Sequence, residues 1–189
     1  MVLFVNGCVR ENSRTLELAQ SLLGGVSGPI EEVRLYPDGP KGLDAEKLCL
    51  RDELLSKGDY AAPIFRFANQ FAAADMIVMA APYWDLAFPA KMRAYLEEIT
   101  VSGITFRYGT DGIPKGLCRA KSLIYVTTAG GPIIQNFGYE YVKTLAHAFY
   151  GISDVALVKA EGLDIWGADP TEILEQAKRN IPNILNTQI

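Results

Sequence analysis

Three short segments of the 189-residue chain concentrate groups able to hold an anion or a flat ring. The first, Asn6-Gly7-Cys8-Val9-Arg10-Glu11-Asn12-Ser13-Arg14-Thr15, carries hydroxyls, amides and two arginines into the start of a helical pattern. Unpaired backbone N–H groups at a helix start attract anions, and Ser13 and Thr15 add donors that reach phosphate oxygens. The segment lacks Gly-Lys-Ser/Thr and has too few glycines for G-x-G-x-x-G, so it suits one phosphate at most. The competing reading makes Ser13 an ordinary helix cap. The second segment, Pro82-Tyr83-Trp84-Asp85-Leu86-Ala87-Phe88-Pro89, is dense in aromatic groups between two prolines. Its backbone can hydrogen-bond the edge of a planar ring while its side chains give apolar contact; alternatively Tyr83 and Trp84 cover the core. The third, Thr127-Thr128-Ala129-Gly130-Gly131-Pro132, exposes backbone N–H groups at paired glycines, which also serve in plain flexible turns.

Other reactive residues point away from metal and thiol chemistry. His147 is the single histidine and falls inside a helical pattern, which reads as structural. Cys8, Cys49 and Cys118 form no C-x-x-C pair for a cluster or a dithiol relay. A phosphate beside Cys8 would oppose a thiolate there. Glu97-Glu98 reads as a solvated helix face, and Tyr60, Phe65, Phe67 and Phe71 as core, with the alternative that part of this cluster faces a dimer partner or the pocket. Lys+Arg 18 against Asp+Glu 22 gives a net charge of -4 with no basic stripe, which disfavours nucleic acid and anionic membranes. No apolar run reaches the roughly 20 residues of a membrane span. An odd cysteine count and an opening without a charged signal region predict a cytoplasmic protein with reduced thiols.

The elements that must position the three segments alternate along the chain. Val2–Val5, a stretch around Ile30, Val33 and Leu35, Met76–Ala81, Leu123–Thr127 and Val155–Val158 read as strands, several buried on both faces. Helices are predicted from Thr15 to Leu23, Asp44 to Ser56, Ile64 to Ala74, Pro89 to Ile99 and Phe137 to Phe149. Asp169-Pro170-Thr171-Glu172 opens a last helix running to about Ile181, with Pro182 ending or kinking it. Ile104–Leu117 reads as an extended excursion turning at Asp111-Gly112. One α/β domain over residues 1–189 follows, a flavodoxin-like three-layer sandwich with a five-stranded parallel sheet in order 2-1-3-4-5. Ligands in such sheets bind beyond the carboxyl ends of the strands, which selects the loops after the first, third and fourth strands: the three segments above.

Ala81 to Leu86, Pro89 to Leu96, Gly103 to Tyr108, Lys115 to Leu117 and Thr127 to Gly131 resemble the NAD(P)H quinone oxidoreductase and FMN-dependent azoreductase family of flavodoxin-like flavoproteins. The resemblance runs from the first strand to about residue 160 and is most specific in its central block. It implies a homodimer with one FMN per subunit near the interface, NADH or NADPH as hydride donor, and two-electron reduction of quinones, azo compounds or other planar small molecules. It places the phosphate loop on Cys8, Arg10, Ser13, Arg14 and Thr15. The flavin-edge loop falls on Pro82, Tyr83, Trp84, Asp85 and Leu86, and a second edge loop on Thr127, Thr128, Ala129, Gly130 and Gly131. Phe106 and Tyr108 match positions that line the acceptor pocket, often across the dimer interface. Cys8 stands where relatives commonly carry serine, a better phosphate donor.

The expected activity is ping-pong oxidoreduction, with the amides of Gly130 and Gly131 stabilising the reduced ring and Tyr108 donating to an acceptor oxygen or packing at an interface. The rivals are an electron carrier of the flavodoxin type and a reductase of free flavin. A phosphorylatable signalling domain is disfavoured because Asp75 precedes its strand instead of following it.

Overall fold

The computed structural model describes residues 1–188 and shows the alternation in full. Five strands form one parallel sheet: β1 (Val2–Asn6), β2 (Ile30–Arg34), β3 (Met76–Ala80), β6 (Ser122–Thr128) and β7 (Asp154–Ala160). Their order is β2-β1-β3-β6-β7, which is the expected 2-1-3-4-5 once a small hairpin between the third and fourth sheet strands is set aside. β1 registers Val2 against Ile30 on one side and against Met76 on the other, and β6 sits between β3 and β7. The chain therefore reverses direction of travel at β1, between β1 and β3, where loops from the two halves diverge and leave room for a ligand.

Period-two alternation sorts each central strand onto two cores. Leu3, Val5, Ile77, Met79, Leu123 and Tyr125 face one layer, built with Phe71, Met92, Tyr95, Ile99 and Val142. These last come from α3 (Arg66–Ala73), α4 (Ala90–Ile99) and α5 (Phe137–Leu145). Val2, Phe4, Val78, Ile124 and Val126 face the other, packed by Leu18, Leu22, Leu174, Ile181 and Leu185. α1 (Arg14–Leu23), α6 (Pro170–Arg179) and α7 (Ile181–Gln188) supply those. α2 (Ala45–Ser56) buries no residue. Polar ties hold it instead: Lys47 pairs with the buried Glu98, and Arg51 donates to the carbonyls of Glu97 and Thr100 at the end of α4.

Several boundaries depart from the sequence reading for local reasons. The excursion after α4 folds as an antiparallel hairpin, β4 (Phe106–Tyr108) and β5 (Pro114–Gly116), with Gly112 at φ +75 in its turn. The helix expected through Phe149 loosens after Leu145 into a π-turn over Ala146–Tyr150, and Gly151 at φ +74 stops it. The helix expected from Ile64 starts as a 3-10 turn over Pro63–Phe65. The last helix is not last: α6 ends at Arg179 and α7 begins two residues later, with Pro182 in its first turn, where a missing N–H costs nothing. Asp44 and Asp169 cap their helices as read, accepting from Lys47 and from Thr171 and Glu172. No helix among the described residues is long and apolar enough to cross a membrane.

Leu22 is wholly buried under α1 whereas Leu48 on α2 is 44% exposed. Leu22→Ala is expected to cost about 2–5 kcal/mol and Leu48→Ala less than about 0.5 kcal/mol in chemical denaturation.

Candidate functional site

The carboxyl ends of β1, β3 and β6 meet at one rim, and the loops leaving them enclose a cleft of about 210 Å³. The first loop turns into the rim at Gly7, whose amide donates to the Ala80 carbonyl at 2.8 Å. A Cβ on Gly7 would stand 2.9 Å from that oxygen and from the Met92 methyl, so only glycine allows the close approach. Ser13 caps α1, its hydroxyl accepting from the Leu16 N–H at 3.3 Å, as the ordinary reading required. That leaves the Arg14 and Thr15 amides at the head of α1 with no acceptor among the described residues. The helix dipole and these two donors make the spot receptive to an anion.

Thr15 and Thr128 link the first and third loops. Their hydroxyl oxygens lie 2.6 Å apart in a buried contact, so one hydroxyl donates to the other and the second keeps its hydrogen for a further partner. Beyond β6 the Ala129 amide is used by the Ala160 carbonyl at 2.9 Å, but the amides of Gly130 and Gly131 have no acceptor among the described residues. The second loop is a two-residue hairpin: Trp84 and Ala87 bridge each other, and Asp85 and Leu86 both adopt positive φ, +50 and +66. Both central residues left-handed is the turn that favours Asn-Gly, so Leu86 holds it against a cost of about 1–2 kcal/mol. The segment before α5 braces this hairpin, the Tyr83 hydroxyl donating to the Gln135 carbonyl and the Phe137 amide to that of Leu86.

Of the residues singled out by sequence, Arg10, Ser13, Arg14, Thr15, Pro82, Tyr83, Trp84, Thr128 and Gly130 line the cleft. Asp85, Leu86, Thr127, Ala129 and Gly131 belong to the same loops without lining it. Thr127 is buried with its hydroxyl unpartnered. Cys8 faces a neighbouring hollow beside Tyr36 and Pro37, and burial pushes its thiol up to about 11. Phe106 is buried beneath its hairpin, edge-on to Tyr108 and Phe149, while Tyr108 is 59% exposed; neither lines this cleft. His147 lies outside the cleft, and no cluster suited to a metal occurs among the described residues.

Sequence reasoning missed Asp164. It follows β7, lines the cleft and accepts from both amino groups of Arg14 at 2.8 and 3.1 Å. Those hydrogen bonds hold its carboxyl below the usual range. The sequence did carry a signal: an acidic residue between Gly162 and Gly167, just past the fifth strand, at the same rim. Among the cleft's arginines, Arg10 alone has no ion-pair partner among the described residues.

A family model described as flavodoxin-like fold matches residues 1–185. The chain belongs to this family. The FMN-dependent NADH:quinone oxidoreductase 2 of Clostridium acetobutylicum is 34% identical over 174 residues, 86% of this chain and 85% of that protein. Among solved structures, an azoreductase of Bacillus anthracis str. Sterne superposes with a TM-score of 0.83 at 23% identity, covering 98% of each chain. An FMN-dependent NADH-azoreductase of Bacillus anthracis str. Ames Ancestor, solved in complex with FMN, gives 0.79 at 22% identity over 100% of this chain and 99% of that one. These two structural likenesses carry the fold alone.

Burial holds the chemistry of two of the three cysteines in check. Cys8 and Cys118, with thiols pushed up to about 11 and 12 by burial, stay protonated at pH 8, whereas Cys49 is exposed. Iodoacetamide at pH 8 is expected to label Cys49 in the folded protein and the other two only after denaturation, read by peptide mass spectrometry.

Proposed function

We propose that the chain is an FMN-dependent NADH:acceptor oxidoreductase that passes two electrons to quinones, azo compounds or similar flat molecules. The observation that carries this reading is the convergence of backbone donors without an acceptor among the described residues, at the head of α1 and at Gly130, on one cleft walled by Tyr83 and Trp84. Relatives whose names state the same chemistry support it. The donor set fits the cofactor at both ends: hydroxyls, amides and Arg10 for a phosphate monoester, an aromatic hairpin and glycine amides for a planar ring.

The flavin, when bound, supplies reversible two-electron chemistry that no side chain offers. The chain's residues bind and orient it. Ser13, the Arg14 and Thr15 amides and Arg10 hold the phosphate; the helix dipole adds to their attraction. Trp84, on the hairpin that Asp85 and Leu86 turn, would meet the ring, and Thr127 to Gly131 would form the second edge, where the amides of Gly130 and Gly131 would favour a negatively charged ring. Cys8 backs the phosphate loop from its buried position. Trp84, 41% exposed, borders the cleft, and a donor and an acceptor that take the same place against it in turn would give ping-pong kinetics.

The active unit in this reading is a homodimer. Leu86, Ile134 and Phe137 are 42, 84 and 56% exposed around the hairpin, an apolar rim that a second copy would cover. Phe106 and Tyr108 take part in the acceptor pocket only if that copy brings its hairpin over the first subunit's cleft. Three unpaired cysteines suit the cytoplasm.

Protein loaded with FMN is expected to be yellow, to bleach with NADH under argon, and to oxidise NADH steadily when benzoquinone is added. A single bleaching without turnover would make it an electron carrier, and turnover that requires excess free FMN would make it a flavin reductase. Tyr108→Phe is expected to raise the KM for quinone about five-fold, equivalent to the ~1 kcal/mol of one hydrogen bond, with the NADH step unchanged. Unaltered constants for every acceptor would remove Tyr108 from the mechanism.

A further inference from the structure

Arg14 has an unusual partnership for an arginine at the mouth of an anion site. Its two amino groups hold both oxygens of Asp164, at 2.8 and 3.1 Å, and one of them also donates to the Leu163 carbonyl at 3.2 Å. The acceptors do not belong to a loose loop. Three backbone hydrogen bonds dock residues 162–164 on the glycine turn after β6: Gly162 to Gly131 at 3.0 Å, Leu163 to Ala129 at 3.2 Å and Asp164 to Gly130 at 2.8 Å. Gly130 also clears the space for the carboxylate, since a Cβ there would fall 2.2 Å from an Asp164 oxygen. A second, buried tie between the same two regions is the Thr15–Thr128 hydroxyl contact at 2.6 Å.

We propose that Arg14 and Asp164 are positioning residues, a clamp that fixes the spacing between the anion cradle at the head of α1 and the glycine turn after β6, so that both ends of one ligand are gripped at once. The inference rests on the flavin reading and adds a residue to it. A bidentate guanidinium–carboxylate pair fixes distance and orientation together, which a single point-charge contact does not. The clamp takes the Arg14 guanidinium, though not its backbone amide, out of phosphate binding and leaves Arg10 as the cationic side chain that meets the phosphate. The opposite role is a competitor: Asp164 as a carboxylate that merely holds Arg14 away from the phosphate. The two roles predict opposite signs. Without the carboxylate a clamp loses phosphate grip, whereas a competitor releases a second arginine and one negative charge in favour of the phosphate.

The test compares FMN with riboflavin, which has the same ring and no phosphate, by quenching of flavin fluorescence in wild type, Asp164→Asn and the charge-swapped pair Arg14→Asp with Asp164→Arg. The expected result is an FMN-to-riboflavin affinity ratio about fivefold lower in Asp164→Asn, with riboflavin losing less than FMN and the ratio partly restored in the swapped pair. A ratio that rises in Asp164→Asn, or stays as in wild type, overturns the clamp. Amide hydrogen exchange of ligand-free protein supplies a readout that needs no flavin: the first turn of α1 and residues 129–131 should exchange faster in Asp164→Asn and recover in the swap. Wild type that takes up neither flavin overturns the cofactor reading, and the exchange rates alone then decide the clamp, equal rates in the variant sinking it.

Discussion

A parallel sheet releases every strand on the same rim, and this constraint governs everything else in the molecule. β1, β3 and β6 are buried on both faces, so none of their polar backbone ends can be spent inside the layers. Each must leave the sheet at the rim, cross to a helix and satisfy its N–H and C=O groups within a few residues. The loops after β1, β3 and β6 solve this only in part. Gly7, Ala81 and Tyr83 donate to carbonyls of the neighbouring strand, at Ala80, Val126 and Thr128. The residues further out do not, and their unspent donors are what a ligand meets.

Unspent donors are useful only when they stay in place, and the ties across the rim hold them. The Thr15–Thr128 contact is buried and joins the head of α1 to the end of β6. The hairpin at Trp84 is braced from the α5 side by the Tyr83–Gln135 and Phe137–Leu86 hydrogen bonds. Leu86 at φ +66 shows what that bracing supports, because a left-handed leucine persists only where its surroundings determine the backbone. Strain concentrated in the loop at the cleft, with none of it in the strands, is the distribution expected when the site's shape is selected and the scaffold supplies the stability.

The architecture was legible because the signals for it are local and redundant. Runs such as Val2–Val5 and Met76–Ala80 read as doubly buried strands once helix-period segments separate them, and Gly24 and Gly151 mark where helices stop, although α4 ends at Ile99, before Gly103. The rim loops followed from topology. The roles of individual side chains within those loops were less legible, because they depend on partners far away in sequence. Nothing near Arg14 in sequence shows that Asp164, 150 residues on, engages both of its amino groups. Nothing adjacent to Phe106 in sequence shows that Phe149, more than forty residues on, packs edge-on against it. α7 escaped because Pro182 looks like an ending, although a proline in a first turn is as compatible with a beginning.

Charge at the cleft follows from the same geometry. Two arginines and one aspartate line it, and the paired Arg14 and Asp164 nearly cancel, leaving Arg10 as the net cation on a chain of net charge -4. Attraction for an anion therefore comes chiefly from backbone dipoles, which are fixed, and from one flexible arginine. Fixed dipoles cost no reorganisation when charge arrives and none when it develops on a bound ring. A cleft carrying two free arginines would attract anions more strongly but less selectively, since long cationic side chains adapt to many shapes. Pairing Arg14 with Asp164 gives up some attraction and gains a defined distance between the two ends of the cleft. For a ligand with a phosphate at one end and a planar ring at the other, that distance is the property that distinguishes it from a bare anion.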